Sequence, residues 1–352
     1  MRALTANLDS PGDLLVEDLD EPAAAPDELV VTGLAVGVCA TDREILAGQH
    51  GLTPPGRSRL VLGHESLGRV RTAPPGSSFT AGDLVVGVVR RPDPEPCAAC
   101  ARGEFDMCRN DRYTERGIKG LDGFAAQTWT IEPDFCVRVD PALGRLGVLL
   151  EPATVVSKAW EQVYAVGGRS WFEPASVLVI GAGPVGLLAA LLGSQRGLDV
   201  HVLDRPGTGP KPALVEDLGA AYHRDPVDEV VRKVRPEVII EATGVPAVVA
   251  AALEVPTSYR VTCLTGLPAP GGPTPVELAS AIHDIVLGNN VIVGSINANV
   301  RHYQQAADAL AAADQSWLGR LVTRRVPLRA AQDAFRPREG DVKVVIDLED
   351  DC

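Results

Sequence analysis

The sequence predicts an α/β protein of two domains, one β-rich and one built on a doubly wound parallel sheet. Three observations carry this reading. The chain has 352 residues, about two to three times a usual domain. Its first 150 residues are short apolar runs punctuated by Pro and Gly, the texture of strands and turns. From Glu151 onward, strand-like and helical apolar runs alternate, which implies parallel strands joined by crossover helices.

The elements follow in order. Leu29–Leu34, Leu60–Leu62 and Leu84–Val89 read as strands, with turns at Pro54–Gly56, Ala73–Ser78 and Arg91–Pro96. Val155–Val163 has helical spacing. Ser176–Ile180, Asp199–Leu203, Val238–Ala242, Arg260–Leu264 and Val291–Val293 read as buried strands, with helices at Leu187–Arg196 and Val245–Leu253 between them. A helix at Tyr303–Ala313 follows. The tail Val342–Leu348 has the texture of the first domain and is expected to return to it. The boundaries this gives are 1–152 completed by 299–352 for the β-rich domain, and 153–298 for the sheet domain.

Composition narrows the function. The net charge is −13 and no basic run is present. Nucleic acid is therefore excluded as a partner, because phosphate contacts supply most of that affinity. No apolar run reaches the ~18 residues of a membrane helix, and Met1–Pro11 lacks the pattern of an export signal. A cytoplasmic protein is expected. Seven cysteines, an odd and unevenly clustered set, suit thiols and metal ligands better than a disulfide framework.

Two motifs carry chemistry. In Val177–Gly186, Gly181, Gly183 and Gly186 stand between a strand and a helix. Glycines there permit a tight turn, close approach of a pyrophosphate and close helix–strand packing, with free amides at the helix start. Asp204 ends the next strand, 18 residues after Gly186. A carboxylate at that point accepts bonds from ribose hydroxyls and repels a 2′-phosphate, which favours NAD over NADP. Arg205 beside it either accommodates the phosphate or is a plain surface charge. The second motif pairs Cys39, followed by Thr41 and Asp42, with Gly63-His64-Glu65, 25 residues on from Cys39. One thiolate and one imidazole suit zinc. Thr41 offers a hydroxyl to relay a proton, and Asp42 a partner for the second nitrogen of His64. Alone, Cys39 reads as a small buried hydrophobe and His64 as a core histidine; together they read as ligands.

With these blocks the chain resembles the zinc-dependent medium-chain dehydrogenases over essentially its full length. Within them it is similar to the glucose 1-dehydrogenases. The matching stretches include Val36–His50, Val61–Gly68, Glu115–Phe124, Leu150-Glu151-Pro152, the glycine motif, Glu241-Ala-Thr-Gly244 and Gly294-Ser-Ile-Asn297. The resemblance implies a GroES-like catalytic domain and a Rossmann nucleotide-binding domain, with the active site in the cleft between them. It implies a catalytic zinc on Cys39 and His64, with Glu65 and Glu151 as direct, exchangeable or water-linked ligands. Substrate contacts would come from Thr41, Glu115, Glu151 and Asn297. NAD, or NADP, would be held by Gly181, Gly183, Pro184, Val185, Gly186, Asp204, Arg205, Thr243, Thr265 and Ser295. The implied reaction oxidises an aldose such as glucose to its lactone. Its rivals are another polyol, cyclitol or amino-sugar intermediate, or a non-catalytic nucleotide-binding protein, which would lack the zinc ligands. A homodimer or homotetramer, joined through sheet edges near Val286–Ile296, is also implied.

The superfamily's structural zinc lobe uses four cysteines. Cys97, Cys100 and Cys108 fit the last three, while the first falls on Pro94, which cannot bind metal. Asp93, or Glu95, stands next to that position as a fourth ligand. The alternative is a lobe of free thiols without metal.

Overall fold

The computed structural model describes residues 1–268 and 271–349, and the chain divides into two compact units. The first is Met1–Glu151 with Asn297–Cys352; the second is Pro152–Ile296.

The first unit is organised by the strand Leu29–Val38, a run of Val, Leu, Ala and Gly buried along most of its length. It pairs antiparallel with Glu65–Thr72 on one side and with Lys343–Asp347 on the other. Thr128–Ile131 pairs with it near its start. The whole sheet runs Cys136–Arg138, Leu84–Gly87, Glu65–Thr72, Leu29–Val38, Lys343–Asp347, Val322–Pro327. A smaller sheet joins Leu14–Asp18, Arg2–Ala6 and Leu60–Val61. One core lies among Leu4, Val36, Leu60, Leu62, Val344 and Ile346. Another gathers Val31, Val70, Phe124, Trp129 and Ile131, with Phe124 and Trp129 meeting edge to face. The C-terminal segment thus contributes both a central strand and core side chains to the unit formed by the chain's first half.

The second unit is a six-stranded, all-parallel sheet. Its order is Ala221–His223, Asp199–Leu203, Ser176–Ile180, Val238–Glu241, Val261–Leu264, Val291–Gly294. The order reverses at Ser176–Ile180, the arrangement in which ligands bind beyond the carboxyl ends of the strands on either side of the switch. The helix Pro184–Gln195 is buried without a break from Gly186 to Gly193, which is why it is apolar all round rather than amphipathic.

The fold class is α/β, as the patterning predicts. Some elements differ. Val286–Ile296, read as one strand-like stretch, is split between the helix Leu278–Gly288 and the edge strand Val291–Gly294. Asn289 causes the break: it adopts left-handed backbone (φ 51°), and its N–H bonds back to Ile285 and Val286 carbonyls. The helices Pro210–Glu216 and Val227–Val234 are too short to give a periodic signal. Among the described residues no helix is long and apolar enough to cross a membrane.

Candidate active site

The strand Leu29–Val38 ends directly at Cys39, which caps the helix Ala40–Leu46. The cap is reciprocal. Cys39 Sγ accepts the Thr41 N–H at 3.2 Å, and Asp42 Oδ2 accepts the Cys39 N–H at 2.9 Å. Backbone folding therefore fixes the sulfur before any ligand arrives. His64 reaches it from the next segment. Gly63 turns the chain with φ 86°, and a Cβ there would lie 2.6 Å from Val36 Cγ2, so only glycine fits. His64 Nε2 then stands 3.0 Å from Cys39 Sγ. Its Nδ1 stands 3.3 Å from Asp42 Oδ1, a charge contact longer than a good hydrogen bond. Asp42 thus fixes both the thiol-bearing backbone and the imidazole ring.

Glu65 follows and opens the next strand. Ligand atoms of Cys39, His64 and Glu65 all lie within 4.8 Å of one another. Sulfur, imidazole nitrogen and carboxylate oxygen in one buried cluster are a donor set suited to zinc, so the residues present fit that metal. The surrounding charges are strongly perturbed. Burial works against a charged His64, yet Cys39 and Asp42 together raise its pKa well above the ordinary value. Glu151 lies in the first turn of the helix Leu150–Gly167. Burial pushes its carboxyl up to about 7, opposed by His64 and reinforced by Glu65. The Lys343 ammonium is 2.6 Å from both oxygens of Glu65. Sequence reading missed this residue: it lies 278 positions from its partner, and no local pattern marks it.

Of the substrate candidates, Thr41 adjoins the cluster through its bond to Cys39. Glu115 is clamped by Arg90, whose Nε and Nη2 both donate to Oε1, at 3.0 and 2.8 Å. The Arg90 guanidinium in turn stacks 3.6 Å over the Tyr113 ring. Tyr303 is fully buried, its hydroxyl accepting the Val89 N–H at 3.1 Å, and it feels the charge of both Glu115 and Glu151. Arg90 stands in Val89-Arg90-Arg91-Pro92, a stretch that matches the resembled family, whereas no motif marks Tyr303. Asn297 sits in left-handed backbone (φ 55°), half-buried.

The three sulfurs of Cys97, Cys100 and Cys108 also lie within 4.8 Å of one another. Backbone N–H groups of Cys100 and Arg109 point at Cys97 and lower its thiol to about 6. Burial instead raises Cys100 to about 11. Among the described residues no carboxylate joins this group. Asp93 is buried but committed, accepting from the Glu95 N–H and the Asn110 side chain and facing Arg112 at 3.4 Å. Glu95 is exposed and pairs with Arg112. Cys352 lies outside the described residues.

In the second unit Gly181, Gly183, Pro184, Val185 and Gly186 form the link from strand to helix. A Cβ on Gly186 would fall 1.7 Å from the Gly181 carbonyl oxygen, whereas one on Gly183 would meet nothing within 4 Å. Gly186 is thus required for close packing of helix on strand, and Gly183 leaves its backbone open to a ligand. Asp204 Oδ2 accepts from the Ala182 N–H and from Lys211 Nζ at 2.7 Å, and Oδ1 accepts from the Arg205 N–H. Lys211, which sequence reading missed, sets a cation on the Asp204 carboxylate. Glu241 Oε1 gathers the Thr243 N–H, the Thr243 hydroxyl and the Gly244 N–H. Thr265 donates to the Glu241 carbonyl oxygen. Ser295 Oγ is buried without a protein partner among the described residues.

Comparison with known proteins places both halves of the chain in described families. The glucose dehydrogenase C-terminus family matches residues 144–348, and the alcohol dehydrogenase GroES-like domain matches residues 25–141. The glucose 1-dehydrogenase of Thermoproteus tenax is 37% identical over 99% of this chain and 100% of that protein. That of Methanocella arvoryzae is 36% identical over 95% and 96%. Among solved structures, Haloferax mediterranei glucose dehydrogenase in complex with NADP, Zn and gluconolactone superposes with a TM-score of 0.92 at 31% identity, covering 99% of this chain and 100% of that one.

The double role of Asp42 gives a test. Asp42→Ala should weaken zinc affinity by about 10–100-fold, the usual consequence of removing a ligand's supporting partner. Equilibrium metal competition measures this, and an unchanged affinity would show that the ring is held without the carboxylate.

Proposed function

The chain belongs to the glucose dehydrogenase family of the zinc-dependent medium-chain dehydrogenases, and from that premise we propose that it oxidises the anomeric hydroxyl of glucose to the lactone, with NAD(P) as hydride acceptor. The observation that carries this is the convergence of Cys39, His64 and Glu65 within 4.8 Å, beside Glu151. Zinc on Cys39 and His64, with Glu65 or Glu151 completing its sphere, would supply Lewis-acid polarisation of the hydroxyl being oxidised. Thr41 Oγ1 takes the proton of that hydroxyl. Such positioned transfers contribute typically ~10²–10⁴-fold. Glu115 keeps Oε2 for a sugar hydroxyl because Arg90 occupies only Oε1. Glu151 and Asn297 serve the remaining hydroxyls; a site that hydrogen-bonds each one discriminates against sugars that lack it. Carbon loses a hydride, the coenzyme gains it, and the hydroxyl proton leaves through Thr41, so the products are lactone, reduced coenzyme and one proton.

Gly181, Gly183, Pro184, Val185 and Gly186 receive the pyrophosphate at the helix start, and Asp204 receives the adenosine ribose. Thr243, Thr265 and Ser295 line the nicotinamide side. The three-cysteine lobe holds a structural zinc whose fourth position requires Asp93 or Glu95 to release its present partners; free thiols are the other outcome. The six described cysteines are all free, which suits a reducing, cytoplasmic setting. We also propose a homodimer, or a tetramer built from it. Val291–Gly294 is the outer strand of its sheet, and Leu278, Ile282, Val286 and Leu287 on the preceding helix are more than half exposed. Such an apolar edge calls for a partner, and a second copy across a twofold axis supplies an identical one.

Three measurements test these points. In a panel of hexoses, pentoses and cyclitols, glucose should give the highest kcat/KM for nucleotide reduction, and Cys39→Ala should abolish the reaction while coenzyme still binds. A cyclitol preferred over every aldose would overturn the substrate. For the coenzyme, Asp204 favours NAD by on the order of 1–3 kcal/mol, while the Lys211 ammonium offsets part of that. Asp204→Ala should therefore narrow the NAD-over-NADP ratio in kcat/KM and Lys211→Met should widen it; a wild-type preference for NADP unaffected by either would contradict the assignment. Light scattering should give a multiple of the 37.1 kDa subunit mass, and a monomer at micromolar concentration would remove the dimer.

A further inference from the structure

A buried lysine is unusual, because an ammonium loses its hydration unless anions replace it. Lys343 is such a residue, with only 2% of its side chain exposed against 3% for its partner Glu65. The two stand on opposite neighbours of the central strand Leu29–Val38. Glu65 pairs with Gly37, and the residue after Lys343, Val344, pairs with Val38. The ion pair therefore passes over the central strand at Gly37. The glycine makes room for it: a Cβ at that position would lie 1.9 Å from Glu65 Oε2 and 3.0 Å from Cδ. Gly37 is not among the positive-φ glycines, so space rather than backbone conformation requires it.

The geometry of the pair decides what Glu65 can do. Lys343 Nζ is 2.6 Å from each carboxylate oxygen, so both oxygens carry a charge-assisted bond. The same carboxylate reaches within 4.8 Å of the Cys39 and His64 ligand atoms. A metal bound by Glu65 would have to share a carboxylate whose charge Lys343 already balances at both oxygens, which makes it a weaker donor. We infer that Lys343 is a positioning residue that holds the Glu65 carboxylate as a counter-charge beside the metal and prevents it from becoming a standing ligand, with Gly37 providing the passage. This rests on the reading of Cys39 and His64 as zinc ligands.

The consequence is a sign that simple destabilisation would not give. Lys343→Met keeps the bulk of the side chain and removes its charge, leaving Glu65 no cation but the metal. Zinc release to a chromogenic chelator should then slow by about tenfold or more, and kcat should fall as the metal loses its open position. Lys343→Arg, which keeps the charge, should release zinc at close to the wild-type rate. Glu65→Gln in the Lys343→Met background should bring release back to the wild-type rate or faster. Release is measured on the zinc that Cys39→Ala lacks, so that metal in the cysteine lobe is not counted. Lys343→Gln, a second neutral replacement, keeps the test independent of the folding of Lys343→Met: release should slow by about tenfold or more here too. Lys343→Met and Lys343→Gln both releasing zinc at the wild-type rate or faster would overturn the tether while leaving the metal reading in place. A wild-type protein without zinc dependent on Cys39 would overturn both.

Discussion

Burying a carboxylate without a cation or hydrogen-bond donors costs several kcal/mol, and this chain buries Asp42 and Glu65 around a thiol that must ionise to bind metal. That concentration of negative charge is the constraint on which the first unit depends. Lys343 meets part of it, the Cys39 N–H meets part, and a divalent cation at Cys39 and His64 would meet the rest. The sheet is arranged to make this workable. Leu29–Val38 delivers Cys39 at its end and clears space at Gly37, while its two neighbours supply Glu65 and Lys343 from opposite sides. The final strand of the chain is therefore part of the site's electrostatics as well as of the core around Val344 and Ile346.

The same economy of charge recurs elsewhere. Arg90 is buried against Glu115 and flattened on Tyr113, which leaves one oxygen of the carboxylate available. Lys211 sits on Asp204 without displacing the backbone bonds that shape the carboxylate's turn. In each case a cation holds an acidic group in position and moderates its charge. The acidic residues are thereby held as oriented acceptors rather than as solvated surface charges.

How much of this is legible in the sequence depends on the range of the signal. The glycine motif is local, and its strand, turn and helix are read directly from Val177–Gly186. Cys39 and His64 are 25 residues apart, yet each belongs to a short pattern with a chemical reason, and the structure sets their ligand atoms 3.0 Å apart. Lys343, Lys211 and Tyr303 carry no such pattern, and Arg90 falls in the matching stretch Val89–Pro92 without a local chemical reason for its role. Their meaning comes from neighbours brought by sheet pairing, as with Lys343 and Glu65. Asp93 shows the converse: adjacency to the missing cysteine suggests a ligand, but Asn110 and the Glu95 N–H take up its oxygens. The helix at Leu278–Gly288 escaped notice because its apolar residues face outward, and only Asn289 marks its end.

We propose that one zinc at Cys39 and His64 is what the buried acids, the thiol and the lysine serve. The most direct measurement strips the enzyme with a chelator and titrates zinc back while following glucose-dependent reduction of the coenzyme. The stripped enzyme should not turn over and should recover fully at one added equivalent per subunit for the Cys39 site, with no recovery in His64→Ala. Full turnover in enzyme shown to be free of metal would contradict it.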